Sequence, residues 1–138
     1  MFSYQKIVDP FLIYVIKFSG KVDRNDIDLY KKSLKEILVD NKFYYIIFDI
    51  IEVDQFKTKY MMELFSEIKN VKEEFKVNMK GCSIITNKFC ETALNFIFMI
   101  VKPFCESKIV RNMNDAIKFL CEIDILKDKN PDTNFHNL

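Results

Sequence analysis

The feature that most constrains the fold is the mostly apolar run Tyr44–Ile51 (YYIIFDII), which is followed by an amphipathic segment from about Thr58. An apolar run of this length, bounded by polar residues, is typical of a strand buried on both faces in a sheet covered by helices. Residues 52–57 would then form a loop at the carboxyl end of a central strand. Such loops are where α/β folds meet ligands and partners. The run therefore predicts both an α/β fold and the location of its functional loop.

Strand and helix patterns alternate along the rest of the chain, with short connections between them. Further strands are predicted at Phe11–Phe18, Lys80–Thr86 and Ser107–Arg111, and an early strand at Tyr4–Val8 would raise the total from four to five. Helices are predicted from Asp23 to about Asp40, from Thr58 to about Phe75, from Lys88 to Val101 before Pro103, and after a cap at Asn112 or Asn114. We predict a single α/β domain over residues 1–126. It would have a central four- to five-stranded mixed, largely parallel sheet and about four helices, followed by a flexible polar tail at 127–138.

Charge and composition exclude several classes of function. The chain has 21 basic and 20 acidic residues, so it lacks the positive field that recruits nucleic acid, and we expect no nucleic-acid partner. Its only glycines, Gly20 and Gly81, cannot form a G-x-G-x-x-G motif or a P-loop. The sequence has no signal-peptide pattern and no apolar run of about 18 residues. We therefore expect no transmembrane segment and a cytoplasmic location.

The sequence offers no constellation of catalytic or metal-binding residues. The four cysteines show no C-x-x-C spacing and are expected to be reduced and packed as small apolar residues: Cys82, Cys90, Cys105 and Cys121. The single histidine, His136, lies in the predicted tail, where it cannot serve a Ser–His or Cys–His pair. Asp49 is a lone carboxylate, which we expect to accept hydrogen bonds from loop N–H groups. The prediction is a non-enzymatic domain with no cofactor and no metal.

Three short motifs, spread over residues 10–122, carry a resemblance to a known family. The turn Phe18–Asp23 (FSGKVD) is similar to a G-x-[LV]-[DT] motif, and Phe48–Ile50 (FDI) is similar to [LVF]-D-L. Lys108–Asn112 followed by Asp115–Leu120 is similar to a last strand and an "EAL" helix. The chain thereby resembles the STAS, or SpoIIAA-like, superfamily, which includes anti-sigma-factor antagonists and cytoplasmic domains of sulfate transporters. The resemblance implies a regulatory module that binds protein.

The chain differs from the signalling members of that superfamily at their switch. Those members place an Asp-Ser-Ser-Gly-like segment at the start of the helix after the central strand, and phosphorylation of one Ser there controls partner binding. The matching segment here is Lys57–Tyr60 (KTKY), in which Thr58 is the only hydroxyl and Tyr60 takes the glycine's position. Thr58 is therefore the candidate phosphorylation site, since a phosphate there would meet free N–H groups. The alternative is that Thr58 only caps the helix.

The helix predicted at Lys88–Val101 has more apolar residues than one face can bury. Residues 96–101 (FIFMIV) are all apolar and go round the helix, so Phe96 and Met99 are predicted to point away from the core. The C-terminal tail, a second subunit, a protein partner or a lipid acyl chain would cover them. We predict a partner-binding surface that joins this helix to the loop: Val53, Asp54, Gln55, Phe56, Lys57, Lys59, Tyr60, Phe96 and Met99.

The alternative function is a carrier or sensor of a hydrophobic ligand such as a lipid, because SpoIIAA-like folds also resemble the lipid-binding CRAL-TRIO domains. The shape around the Lys88–Val101 helix distinguishes the two. A flat apolar patch near the loop favours a protein partner, and a homodimer is open as one such partner. A closed apolar cavity of roughly several hundred cubic ångströms favours a small ligand.

Overall fold

The computed structural model describes residues 1–39, 42–70, 73, 78–100 and 105–129. The strands are β1 (Phe2–Ile7), β2 (Ile13–Phe18), β3 (Gly20–Lys21), β4 (Tyr44–Asp49), β5 (Val53–Gln55), β6 (Met79–Ile85) and β7 (Glu106–Val110). The helices are α1 (Arg24–Leu38), α2 (Thr58–Asn70), α3 (Lys88–Ile100) and α4 (Met113–Lys129). None of the helices in these ranges is long and apolar enough to cross a membrane.

Five strands form the main sheet in the order β1-β2-β4-β6-β7. β1 runs antiparallel to β2, and the other neighbours are parallel. The predicted α/β class and the mixed, largely parallel sheet are therefore confirmed. β4 lies in the middle, and β1 and β7 form the two edges.

The apolar run of β4 is continuous because both faces of the sheet are covered. Side chains alternate along a strand, so Tyr44, Ile46 and Phe48 pack with α1, α2 and α3 on one face. Tyr45 and Ile47 pack with α4 on the other. Right-handed crossovers between consecutive parallel strands place α1, α2 and α3 together on one face. The core thus consists of two clusters with β4 between them.

Local capping sets the start of α1 and of α4. Asp23 Oδ1 accepts a hydrogen bond from the Asp26 N–H at 2.9 Å, and Asp26 Oδ2 accepts one from the Asp23 N–H at 3.1 Å. This reciprocal pair is a capping box. Of the two candidate caps before α4, the structure uses Asn112, whose Oδ1 accepts from the Asp115 N–H at 2.8 Å.

Several predicted boundaries differ from those observed. The central strand ends at Asp49 rather than Ile51, because the Asp49 carboxylate accepts a hydrogen bond from the Ile51 N–H at 3.2 Å and turns the chain. The predicted loop 52–57 contains a strand, β5, which pairs in parallel with β3. α4 continues to Lys129, three residues into the predicted tail. The predicted helix ends at Phe75 and Val101, as well as His136 and the rest of the tail, lie outside the described residues.

Candidate functional site

The loop after β4 is held in place by backbone hydrogen bonds to the segment before α1. The Gly20 N–H donates to the Glu52 carbonyl at 3.0 Å, and the Val22 N–H donates to the Gln55 carbonyl at 2.9 Å. Gly20 adopts a φ of +65°, a left-handed conformation that glycine reaches without steric cost. The β3–β5 ladder therefore orders a segment that the sequence alone predicts as an open loop.

Asn87 fastens the same loop to the start of α3. Its Nδ2 donates to the Ile51 carbonyl at 3.1 Å and to the Val53 carbonyl at 3.2 Å. Its Oδ1 accepts from the Cys90 N–H at 2.9 Å, which is the N-cap contact of α3. One side chain thus caps a helix and holds the loop. Sequence reasoning predicts the cap, but no local pattern links Asn87 to a loop more than 30 residues earlier.

The predicted surface residues of the loop divide into anchors and exposed groups. Val53 and Phe56 are buried, with 4% and 8% of their surface exposed, and the Phe56 ring lies 5.6 Å from that of Phe18 between centroids. These two side chains are therefore part of the core, and the structure corrects their assignment to a contact surface. The others remain accessible, with Tyr60 half-buried and the rest exposed: Asp54, Gln55, Lys57, Thr58 and Lys59.

The start of α2 differs from that of the other helices. The Lys57 carbonyl accepts from the N–H groups of Tyr60 at 2.9 Å and Met61 at 3.1 Å, so Lys57 occupies the N-cap and Thr58 the first helical position. Thr58 is thus not the cap that the alternative interpretation assigns to it. A lysine side chain has no acceptor atom. The first turn of α2 therefore lacks a side-chain acceptor at its N-cap. In the other three described helices the N-cap residue supplies this acceptor: Asp23 in α1, Asn87 in α3 and Asn112 in α4.

Three cationic groups gather around the ring of Tyr60. The Arg24 guanidinium and the Lys59 ammonium each lie 5.0 Å from the ring centroid, and the Lys57 ammonium lies 5.9 Å from it. These distances are within the range of cation–π attraction. Lys57 and Lys59 form no ion pair with any of the residues that the structure describes. They leave positive charge available at the helix start.

Arg24, in contrast, is neutralised by Glu63 on α2. Its two terminal nitrogens donate to the two oxygens of the Glu63 carboxylate at 2.7 and 2.8 Å, and the Lys31 ammonium lies 2.7 Å from one of those oxygens. Hydrogen bonds from Arg24 and then Lys31 lower the pKa of Glu63 to about 2. The same contact raises the pKa of Arg24. The cluster of Arg24, Lys31 and Glu63 therefore joins α1 to α2.

α3 exposes Phe96 and Met99, with 54% and 78% of their surface accessible. Its buried face consists of Cys90, Leu94 and Ile97. α3 rises about 1.5 Å per residue from Asn87, so Phe96 and Met99 lie roughly 14 and 18 Å from it along the axis. The structure therefore does not bring these two side chains against the loop as the predicted surface requires.

The first turn of α3 exposes an apolar side chain, Phe89, which is not among the residues predicted for the partner-binding surface. Phe89 is two residues beyond Asn87, in the first turn of α3, and 69% of its surface is exposed. It precedes Phe96 by seven residues, which places the two on one side of the helix. The seven-residue spacing is the sequence signal that links Phe89 to Phe96, although Phe89 lies outside the continuous apolar run at 96–101.

Several titratable groups in and near the loop make structural contacts. Asp49 is buried and accepts from the Ile51 N–H. Lys17, its register partner on β2, pairs with Glu52 at 3.0 Å, and the hydrogen bond from that pair raises the pKa of Lys17. Burial raises the pKa of the Cys82 thiol, which keeps it in its unreactive protonated form. Among the described residues, no three His, Cys, Asp or Glu side chains are placed to hold a metal ion.

Comparisons with known proteins place the fold but not the activity. No family model matches the chain, and no curated protein matches it. Among solved structures, the chain is similar to an uncharacterized protein of the DUF3478 family with a SpoIIAA-like fold, from Shewanella loihica PV-4. The TM-score is 0.59 at 18% sequence identity, and the match covers 88% of this chain and 93% of that one. The SpoIIAA-like fold indicated by the three sequence motifs is thereby confirmed.

Proposed function

We propose that this domain is a non-enzymatic regulatory module that binds a protein partner through the start of α2. The contact surface, here called the α2-start surface, consists of Asp54, Gln55, Lys57, Thr58, Lys59 and Tyr60. The observation that carries the proposal is that these accessible side chains lie on a fastened loop and on the first turn of the helix that follows it. Val53 and Phe56 anchor the loop in the core, and Asn87 and the β3–β5 ladder bind its backbone. A surface ordered before binding loses little conformational entropy when a partner arrives.

Charge at the α2-start surface favours an acidic segment of the partner. Lys57 and Lys59 present two ammonium groups at a helix N-terminus, where the backbone dipole adds partial positive charge. Carboxylates approaching this point would form charge-assisted hydrogen bonds, which are stronger than neutral ones. We therefore expect the partner's contribution to include Asp or Glu side chains.

Affinity capture with a charge-reversed bait tests the proposal. Wild-type protein would be compared with the Lys57→Glu/Lys59→Glu variant, and captured proteins would be identified by mass spectrometry and validated by titration with the purified partner. The matched control is Lys32→Glu/Lys35→Glu, which makes the same change in charge at two exposed positions of α1. We expect the first variant to lose the partner and the control to retain it. Equal retention by both variants would contradict the proposed surface.

Phosphorylation of Thr58 would regulate this surface, and we include it as the finer part of the proposal. Thr58 is exposed in the first turn of α2, so a phosphate on its hydroxyl would lie beside free N–H groups and between two lysines. It would reverse the local charge and compete with an acidic partner. The test is the partner's dissociation constant for Thr58→Glu against Thr58→Val, with weaker binding expected for the Glu variant. Equal affinities would remove the phosphate switch and leave the binding module in place.

No observation in the described part of the chain favours the lipid carrier over the binding module. Among the described residues, a cavity of about 350 Å³ lies between β7 and α4, and charged residues make up most of its lining. An acyl chain requires an apolar lining. On the α3 side, the rings of Phe48, Phe65 and Phe98 pack on one another, with centroid separations of 5.7 and 5.1 Å. These rings pack between β4, α2 and α3 as part of the core.

A further inference from the structure

β7 is an edge strand whose outer side has no pairing strand among the described residues. The N–H and C=O groups along such an edge can pair with another strand. Two oppositely charged side chains, Glu106 and Lys108, stand on β7 with Ser107 between them, and both are exposed. Neither has an ion-pair partner among the residues that the structure describes. Charges on an edge strand usually oppose pairing with another strand. Pairing is favourable only with a strand whose charges lie opposite them with the reverse sign, so the order of the charges determines which strand can pair.

The cavity of about 350 Å³ runs along this edge. It is lined by four consecutive residues, 108–111, and by one face of α4 that includes Asp115, Phe119 and Glu122. Consecutive strand residues point to opposite faces, so a cavity that touches four in a row follows the strand's backbone. The Lys108 ammonium lies 5.9 Å from the centroid of the Phe119 ring, which places Lys108 on the α4 face. By alternation Glu106 lies on that face too.

The charge order of β7 is complementary to itself in one antiparallel register. If two copies pair about a twofold axis through Ser107, each Glu106 stands opposite the second copy's Lys108. On the other face, each half-buried Cys105 stands opposite the second copy's Ile109. Registers centred on Glu106 or on Lys108 would instead place identical charges opposite each other, which is destabilising. Of these three registers, only the one centred on Ser107 therefore places opposite charges against each other.

We propose that β7 is a homodimer interface, at which β7 pairs antiparallel with β7 of a second copy. The two five-stranded sheets would then join into one continuous sheet of ten strands, with the two α4 helices on the same face beside the dyad. The interface is isologous, as in most dimers of identical chains. The dimer interface uses no residue of the α2-start surface. Tests of the interface and tests of the proposed function are therefore independent of each other.

Sedimentation velocity of the full chain over a range of concentrations tests the interface with charge inversions. We expect a reversible monomer–dimer equilibrium for the wild type. Lys108→Glu and Glu106→Lys should each raise the dimer dissociation constant about tenfold, because each creates two like-charge pairs. The double variant Glu106→Lys/Lys108→Glu should restore dimerisation. A mixture of the two single variants should form a heterodimer, since both of its cross-strand pairs join opposite charges.

Lys35→Glu on α1 is the control for a change in net charge, and thermal unfolding establishes that each variant is folded. A wild-type chain that stays monomeric at every soluble concentration would overturn the proposal. It would also be overturned by a dimer whose dissociation constant is unchanged in both single variants. Failure of the mixed single variants to associate more tightly than either alone would exclude this register.

Discussion

At the scale of single residues, Asn87 has the most influence on the candidate site, because its amide group serves two elements at once. Its oxygen caps α3, and its NH₂ group binds the loop carbonyls of Ile51 and Val53. Asn87→Asp separates the two roles, since a carboxylate still caps the helix but cannot donate. We expect the free energy of unfolding to fall by about 1–3 kcal/mol as two carbonyls lose their donor. Chemical denaturation measures this loss, and hydrogen exchange should show faster opening in the loop than in α3.

Asn87→Ser is the matched control, because it also retains a cap acceptor but carries no charge toward the carbonyls. We expect its loop to exchange faster than the wild type, but less than that of the Asp variant. An Asp variant with wild-type stability and wild-type loop exchange would show that the bonds to Ile51 and Val53 do not hold the loop.

The Glu63 carboxylate gives the link between α1 and α2 a defined dependence on pH. Arg24 and Lys31 lower its pKa in the folded state to about 2, from 4.5. A carboxylate with a lowered folded-state pKa stabilises the fold above its unfolded pKa, and this contribution is lost as the pH falls from about 4.5 toward 2. We expect Glu63→Gln to be about 0.5–1 kcal/mol less stable at pH 7, with solvent screening limiting the effect. Urea denaturation at several pH values measures the difference, which should vanish near pH 2.

A difference between Glu63→Gln and wild type that stays constant from pH 7 to pH 2 would contradict this assignment. It would mean that packing of the side chain, rather than its charge, joins the two helices. Lys31→Met is a partial control, because it removes one of the two cations and should lower the stability by less than the loss of Glu63 itself.

At the scale of elements, α4 packs closely on β6 at Gly81, where any added side chain would crowd its neighbours. A Cβ added to Gly81 would lie 2.9 Å from Ile123 Cδ1 and 3.2 Å from Tyr45 Cδ1. We expect Gly81→Ala to destabilise the protein by about 1–3 kcal/mol through overpacking. Ile123→Val removes the closest carbon, so it should cost about 1 kcal/mol alone but relieve part of the Gly81→Ala penalty. Thermal unfolding of the single and double variants measures this coupling.

Strictly additive changes in this double-mutant cycle would show that Ile123 is not the residue that limits the approach of α4. Gly20 offers a contrast, since no atom lies within 4 Å of the Cβ position there and its constraint is the positive φ alone. At Gly81 the limit is space, whereas at Gly20 it is the backbone conformation.

At the scale of the whole molecule, burial is complete along β4 and much lower in the two short strands around the loop. All six residues of β4 are buried, whereas β3 and β5 form a separate two-stranded ladder with four exposed or half-buried residues. Local opening requires less free energy where few apolar contacts are lost. We therefore expect native-state hydrogen exchange of β4 amides to report global unfolding, and that of β3 and β5 amides to report a smaller opening. Equal protection of both sets would mean that the loop unfolds only with the core.

How much of this could be predicted from sequence depends on the range of the contacts involved. The strand at Tyr44 and the helices at Arg24 and Lys88 follow from periodicity and capping within a few residues, and they were predicted. The β3–β5 ladder joins strands of two and three residues that lie 33 positions apart, so it leaves no local pattern. Lys57 at the N-cap of α2 contradicts the usual residue preference. Sequence thus predicts the position of the loop after the central strand, but not the long-range contacts that hold this loop in place.

The link from Asn87 to the loop also has a consequence for the order of events on the ribosome. Asn87 is synthesised 36 residues after Ile51 and 34 residues after Val53. At roughly 5–20 residues per second, this delay is on the order of two to seven seconds. During that interval a nascent chain can contain the whole α2-start surface without the side chain that fastens its loop. Binding of the partner during translation would therefore await the start of α3, and the domain would become competent only after most of its sheet has been made.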